Sequence, residues 1–287
     1  MLKAVPDTPA TGRDDSRSTA TPPTVGRGFA AAVQPVTAQA ITIDATGLDA
    51  GSVSIKVGDF DMPAYRAAPA GATGLPVVLV VCEIFGVHAH IADVCRRLAR
   101  QGYLAIAPEL FVRHGDASAY TEVPKLISEV VSKAGDAQVM ADLDATVAWA
   151  AAHGGDTARL GVTGFCWGGR TTWRYAAHNP GVKAAVAWYG PVARAFHPGD
   201  PTIIELAASI QAPVLALYGA ADTGIPVETL TQLEDALKAA GNRACEFVVY
   251  PDTPHAFHAD YRPSYRQAAA EDGWRRCLAW LGDNGVA

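Results

Sequence analysis

The chain has 287 residues, of which 49% are hydrophobic and 18% charged, and its formal net charge is −6 at pH 7. No unbroken apolar run approaches the roughly 20 residues needed to cross a bilayer, and no block of Lys and Arg offers a footprint for a phosphate backbone. Membrane and nucleic-acid partners are therefore not expected. Five cysteines, at 82, 95, 166, 245 and 277, show no CxxC spacing, which points to reduced thiols and a cytoplasmic protein.

Residues 1–45 read as a tail that is poor in large apolar groups, and disorder is expected there. The stretch "GFAAAVQPVTAQA" ends in small residues, but Gln34 and Pro35 break its apolar part, so an export signal is not the expected reading. Residues 46–287 are expected to form a single catalytic domain.

That region opens with "VSIKV" and "MPAYRAA", which alternate like the arms of an antiparallel hairpin turning at Gly58 and Asp59. "LPVVLVVCE" follows as a continuous apolar run, the pattern of a strand buried on both faces. "IADVCRRLARQG" has helical spacing and closes at Gly102, and "YLAIAPEL" is a second buried strand. A helix is predicted over 136–152, then the strand "ARLGVTG", a helix after Cys166 and the strand "KAAVAWYG". Strand "APVLALYG", helix "VETLTQLEDALKAAG", strand "ACEFVVY" and a helix over about 264–282 complete the series. Repeated strand–helix units imply an α/β fold, a mainly parallel sheet with helices on both faces.

In such a sheet, side chains at the carboxyl ends of strands converge on the ligand crevice. Glu83, Cys166, Asp222 and His255 all fall at such ends. "GFCWG", residues 164–168, fits a nucleophile elbow, G-x-nucleophile-x-G, in which the glycines let strand and helix approach while the central residue is held exposed. The helix beginning there turns its positive end toward Cys166 and favours thiolate. Asp222 and then His255 follow in the order nucleophile, acid, histidine. An imidazole there can exchange a proton with the thiol while the carboxylate fixes its tautomer. Taken singly, a Cys between small residues is more often a packing residue, and a loop Asp or His a surface group. Their joint placement is what favours chemistry.

Glu83 ends a strand so apolar that its carboxylate must find a partner or lose solvation, which favours a functional role. Cys82, Cys95, Cys245 and Cys277 lie in core-like patterns and read as packing thiols. His88, His90 and His258 lack ligand spacing with convergent carboxylates, so neither a metal nor another cofactor is expected.

The motifs "CEIFGVHAHIADVCRRLARQGYLAIAPELF", "GFCWGG", "YGAADTGIP" and "PHAFHADYRPSY" resemble the dienelactone hydrolase family, the carboxymethylenebutenolidases, over about residues 50–283. The resemblance implies the α/β-hydrolase fold and a role in aromatic compound breakdown. It makes Cys166 the nucleophile, His255 the general base and acid, and Asp222 its orienting carboxylate. It further implies that Glu83 pairs with the resting thiol until a ligand repositions it, and that the backbone N–H groups of Ile84 and Trp167 form the oxyanion hole. Family substrates carry a carboxylate held by arginines. Arg113 matches one of them; the position of the other is Ala259 here, and Arg262 is a nearby replacement.

The expected activity is hydrolysis of a small-molecule ester or lactone through an acyl-enzyme on Cys166, by a monomer or small homo-oligomer. A general carboxylesterase acting on uncharged esters is the alternative. A non-catalytic redox sensor using Cys166 is a further one, although a sensor has no use for Asp222 and His255 in hydrolase order.

Overall fold

The computed structural model describes residues 3–4 and 40–287. Most of the expected tail thus lies outside the described residues, but Lys3–Ala4 (β1) add a short parallel strand beside the last strand of the sheet. The hairpin joins β2 (Leu48–Val57) to β3 (Phe60–Pro69), in register from Leu48 opposite Pro69 to Val57 opposite Phe60. Its turn is tight because Gly58 adopts φ 58°, which a side chain would disfavour.

β3 pairs antiparallel with β5 (Leu104–Pro108), and from there the sheet is parallel. Its remaining strands are β4 (Leu75–Val81), β6 (Gly155–Phe165), β7 (Val182–Trp188), β8 (Val214–Gly219) and β9 (Glu246–Tyr250), in the order β1-β9-β8-β7-β6-β4-β5-β3-β2. The continuous apolar runs of β4, β5 and β8 are buried almost throughout, as strands covered on both faces must be. Helices α1 (Ala89–Ala99), α3 (Asp136–Ala152), α4 (Trp167–His178) and α6 (Gln267–Asp283) pack on these strands. α5 (Val227–Ala239) buries Leu230, Leu233 and Leu237, the one-sided stripe its sequence spacing predicts.

β4 is flanked by β5 on one side and β6 on the other, so the winding of the chain reverses there. Above such a switch point the segments leaving the strands diverge and open a crevice. Glu83 leaves β4 and Cys166 leaves β6, which sets these two residues at the crevice from adjacent strands.

Two elements differ from the sequence reading. α2 (Val123–Glu129) carries no long periodicity, and its short helix is visible only in the folded chain. α6 begins at Gln267, later than predicted, because Arg262 and Tyr265 are engaged in turn bonds to the carbonyls of Ala259 and Arg262. Near the start of the continuous described region, a strap crosses α1. The Ile43 N–H donates to Asp93 Oδ1 at 2.7 Å, and Arg96 Nε donates to the Ile43 carbonyl at 2.9 Å. Arg97 links the same Asp93 to Asp260, which adjoins Tyr261.

Candidate active site

Cys166 stands between β6 and α4 with φ 55° and ψ −116°, a conformation rare outside glycine. Close backbone approach on every side imposes it. A Cβ on Gly164 would lie 2.3 Å from the Gly168 carbonyl oxygen, and one on Gly168 would lie 2.2 Å from that of Val81. The Cys166 N–H donates to the Trp188 carbonyl at 3.0 Å, tying the turn to β7. Cys166 as a residue is half-buried at the head of α4. Trp167 is the first residue of that helix, so its N–H has no intrahelical acceptor.

Asp222 and His255 arrive from neighbouring loops after β8 and β9. The Ala221 N–H donates to the Thr253 carbonyl at 3.0 Å, and Gly219 leaves room for that same carbonyl, so the two loops are joined side by side. His255 Nδ1 lies 2.6 Å from Asp222 Oδ2, while Asp222 Oδ1 accepts from the Gly224 N–H at 2.9 Å. Both carboxylate oxygens are thereby used, and the ring is left with Nε2 for the sulfur. Burial disfavours the charged imidazole, yet the hydrogen bond to Asp222 and the adjacent Cys166 sulfur push His255 up to about 10. The chain therefore brings Cys166, Asp222 and His255 together from three separate strand ends.

Glu83 is 3% exposed and points to other partners. Its Oε2 is 3.0 Å from His88 Nε2, and its Oε1 accepts from the Tyr261 hydroxyl at 3.3 Å. Burial alone would raise its carboxyl, but the His88 charge and hydrogen bond, helped by His90, hold it at about 2. Tyr189, just past β7, is fully buried with φ 38°, and among the described residues its hydroxyl has no hydrogen-bond partner. Its ring meets His255 edge-on at 5.2 Å. Glu83, Tyr261, Cys166 and Arg262 all act on it electrostatically, so it stands among the site's charged groups.

The two arginines part company. Arg113 is bonded to Asp142 of α3 and lies 4.0 Å over the Phe60 ring, which commits its guanidinium to the scaffold. Arg262 is half-buried over Phe85 at 5.5 Å, and among the described residues no carboxylate pairs with it. Ala259 is fully buried.

Sequence reasoning did not single out Tyr189, Tyr261 or Glu109. Glu109 accepts from the Val87 N–H at 3.1 Å, and its Oε2 would lie 2.8 Å from a Cβ on Gly86, so it props the loop that follows Glu83. Burial raises its carboxyl to about 7. A carboxylate ending an apolar strand was the available signal, the same one that marked Glu83. His258 is stacked with Phe165 at 5.1 Å and tilted against Trp188 at 4.6 Å, and burial pushes it well below the ordinary histidine range.

Comparison with known proteins shows the family to which the chain belongs. The dienelactone hydrolase family model matches residues 62–284. The chain belongs to the dienelactone hydrolase family. Members of this family act on ester and lactone bonds. A relative from Methylorubrum extorquens, provisionally named a carboxymethylenebutenolidase, is 58% identical over 277 residues, 95% of this chain and 94% of its own. One from Salmonella typhimurium, with the same provisional name, is 52% identical over 265 residues, 90% of this chain and 96% of its own. A crystal structure from Klebsiella pneumoniae, provisionally a dienelactone hydrolase, is 55% identical with a TM-score of 0.80, covering 82% of this chain and 98% of that one. The α/β-hydrolase fold that the family resemblance implied, built on the parallel sheet read from the strand–helix alternation, is thus the fold of this chain.

Proposed function

We propose that this dienelactone hydrolase family member is a cysteine-dependent hydrolase that opens a small lactone or cleaves a small ester through an acyl-enzyme on Cys166. The observation that carries this reading is the 2.6 Å contact between His255 Nδ1 and Asp222, which turns the opposite ring nitrogen to the sulfur at the head of α4.

In this mechanism the Cys166 thiolate attacks the carbonyl carbon, and the carbonyl π electrons move to oxygen. That oxyanion accepts from the backbone N–H groups of Ile84 and Trp167, whose contribution is on the order of a hundredfold or more in rate for each donor. Collapse of the intermediate expels the alkoxide, which takes its proton from His255, leaving a thioester. His255 then removes a proton from water as the water attacks the thioester. Collapse of this second intermediate releases the acid and restores the Cys166 thiolate, with His255 keeping the proton that it took from water.

Arg262 supplies the cation for an acidic group on the substrate, and the hydroxyl of Tyr189, without a hydrogen-bond partner among the described residues, supplies a neighbouring donor. Arg113 is left out of this role because Asp142 occupies it. That same occupation, with Ala259 in place of an arginine, favours a second reading, a carboxylesterase for uncharged esters.

Turnover of an activated neutral ester and of dienelactone by the wild type, Cys166→Ala and Arg262→Ala tests both. Cys166→Ala is expected to abolish both activities, and full turnover by it overturns the proposal. A loss in Arg262→Ala confined to dienelactone supports the acidic substrate; equal rates on both esters support the neutral one.

A further inference from the structure

β5 ends at Pro108, and the next residue, Glu109, turns its carboxylate across to the loop that leaves β4. Its own N–H donates to the Pro63 carbonyl at 2.8 Å, so its backbone is fixed to β3. Leu110 and Phe111 follow it into the core and hold it from the other side. Oε1 accepts from the Val87 N–H at 3.1 Å. Oε2 lies where a Cβ on Gly86 would stand 2.8 Å away, and Gly86 has φ 75°, so this glycine supplies both the room and the bend that let backbone and carboxylate meet. Ile84, Phe85 and Val87 in the same loop are buried. Within the loop the Gly86 N–H reaches the Glu83 carbonyl only at 3.4 Å, whereas the bond from Val87 ties the loop to the end of a neighbouring strand.

From this arrangement we infer that Glu109 is a positioning residue: its carboxylate holds the Gly86–Val87 turn against the end of β5 and so fixes the Ile84 N–H where the proposed oxyanion forms. The inference rests on the proposed function, which gives Ile84 that part, and Glu109 works only through the loop.

The physical argument has two parts. A donor speeds the reaction only if it is already aimed at the oxygen that becomes charged, and misplacement on the order of 1 Å can cost about a hundredfold. Ile84 stands three residues before Val87 in one tight turn, so holding Val87 restricts where Ile84 can go. Apolar burial of Ile84, Phe85 and Val87 is non-directional and leaves the orientation of the loop unset. A hydrogen bond to an ionised acceptor at a fixed point is directional and roughly twice as strong as a neutral one.

The second part is that this grip depends on charge. Burial and the carboxylate of Asp116, at the head of the short turn Ala117–Ala119, oppose ionisation of Glu109, while the Val87 N–H favours it, and the balance lies at about 7. The Cys82 thiol at the end of β4 also faces Glu109 and is itself pushed up by burial and by that carboxylate. Glu109 is thus an anion on the alkaline side of neutrality and a weaker, neutral acceptor on the acid side.

Steady-state kinetics on an activated neutral ester are measured from pH 5.5 to 8.5 for the full-length wild type, Glu109→Gln and Glu109→Ala. Wild-type kcat is expected to rise about tenfold through pH 7 as the anion forms. Glu109→Gln keeps the size and an acceptor but carries no charge. It is expected to fall about tenfold below wild type at pH 8, to meet it within about threefold at pH 5.5, and to keep KM within about twofold, because the lost interaction belongs to the transition state. In hydrogen–deuterium exchange, with rates divided by those of an unstructured chain at the same pH, peptides spanning residues 84–88 are expected to lose about tenfold in protection in Glu109→Ala at pH 8, while those of α5 stay unchanged.

A Glu109→Gln profile that runs parallel to wild type over the whole range overturns the inference, and so does a loss that appears in KM rather than kcat. Wild-type protection of residues 84–88 in Glu109→Ala, with circular dichroism reporting a folded chain, overturns it as well. Cys166→Ala keeps the two readings apart. If that variant still turns over the ester while exchange of the loop follows Glu109, the proposed function falls and the prop on the loop stands. If turnover needs Cys166 but Glu109→Gln behaves as wild type, the inference falls and the proposed function stands.

Discussion

Gly168→Ala puts one methyl group where two backbones meet. The added Cβ would stand 2.2 Å from the Val81 carbonyl oxygen and 2.5 Å from that of Cys82, so β4 and α4 must part by about 0.8 Å to reach even 3.0 Å. Neither obstacle is a flexible side chain. Overpacking of this kind costs about 1–3 kcal/mol, and rigid backbone on both sides places it at about 3 kcal/mol. For a domain of this size that corresponds to a fall in Tm of about 6–12 °C. The catalytic effect is separate. The retreating segment leads directly to Ile84, and the advancing one begins at Trp167, so the substitution widens the gap between the two proposed oxyanion donors. Misplacement on the order of 1 Å can cost about a hundredfold. Thermal unfolding and steady-state kinetics on an activated ester read both effects, with the loss expected in kcat and KM little changed. An alanine variant with wild-type Tm and wild-type kcat would refute the close approach and the oxyanion assignment together.

Asp222→Asn keeps the shape behind His255 but removes the charge and the acceptor that selects the ring tautomer. In a triad this exchange lowers kcat by about 10⁴, and a loss of at least a hundredfold is expected here, measured on an activated ester. His255 has its folded-state pKa raised to about 10, so its contribution to stability is complete below the unfolded value of about 6.5 and is lost as pH rises through 10. The wild-type Tm should therefore fall more between pH 6.5 and 10 than that of His255→Ala, and parallel curves would contradict the assignment. Glu83 and Asp260 are both held at about 2, so their contributions are present above about 4.5 and vanish as pH drops through 2. Acid unfolding followed by tryptophan fluorescence should flatten in Glu83→Gln, and an unchanged acid limb would count against the His88 pairing.

The sheet was legible because its strands are apolar on both faces and its helices on one, and those periods survive in a linear sequence. The elbow was legible because close packing at Gly164 and Gly168 demands glycine at fixed spacing around Cys166. Pairings across the fold were not. Asp142 lies 29 positions beyond Arg113, in α3, and nothing in either stretch announces that one will occupy the other. Tyr189 and Tyr261 reach the crevice from different strand ends, where a tyrosine in an apolar context looks like any core residue. His88 sits five residues from Glu83, but whether a loop turns the two toward each other depends on Gly86, whose φ of 75° bends the chain between them.

The strap at Ile43 ties the beginning of the continuous described region to the far side of the catalytic loops. Its backbone completes Asp93 and Arg96, Arg97 shares Asp93 with Asp260, and Asp260 adjoins the tyrosine that holds Glu83. A shortened protein starting after Asp44 would thus expose open bonds at one end of a charged relay whose other end adjoins Tyr261 and Glu83, near the proposed nucleophile. Trimming at a place that looks dispensable by its remoteness would be felt at the sulfur.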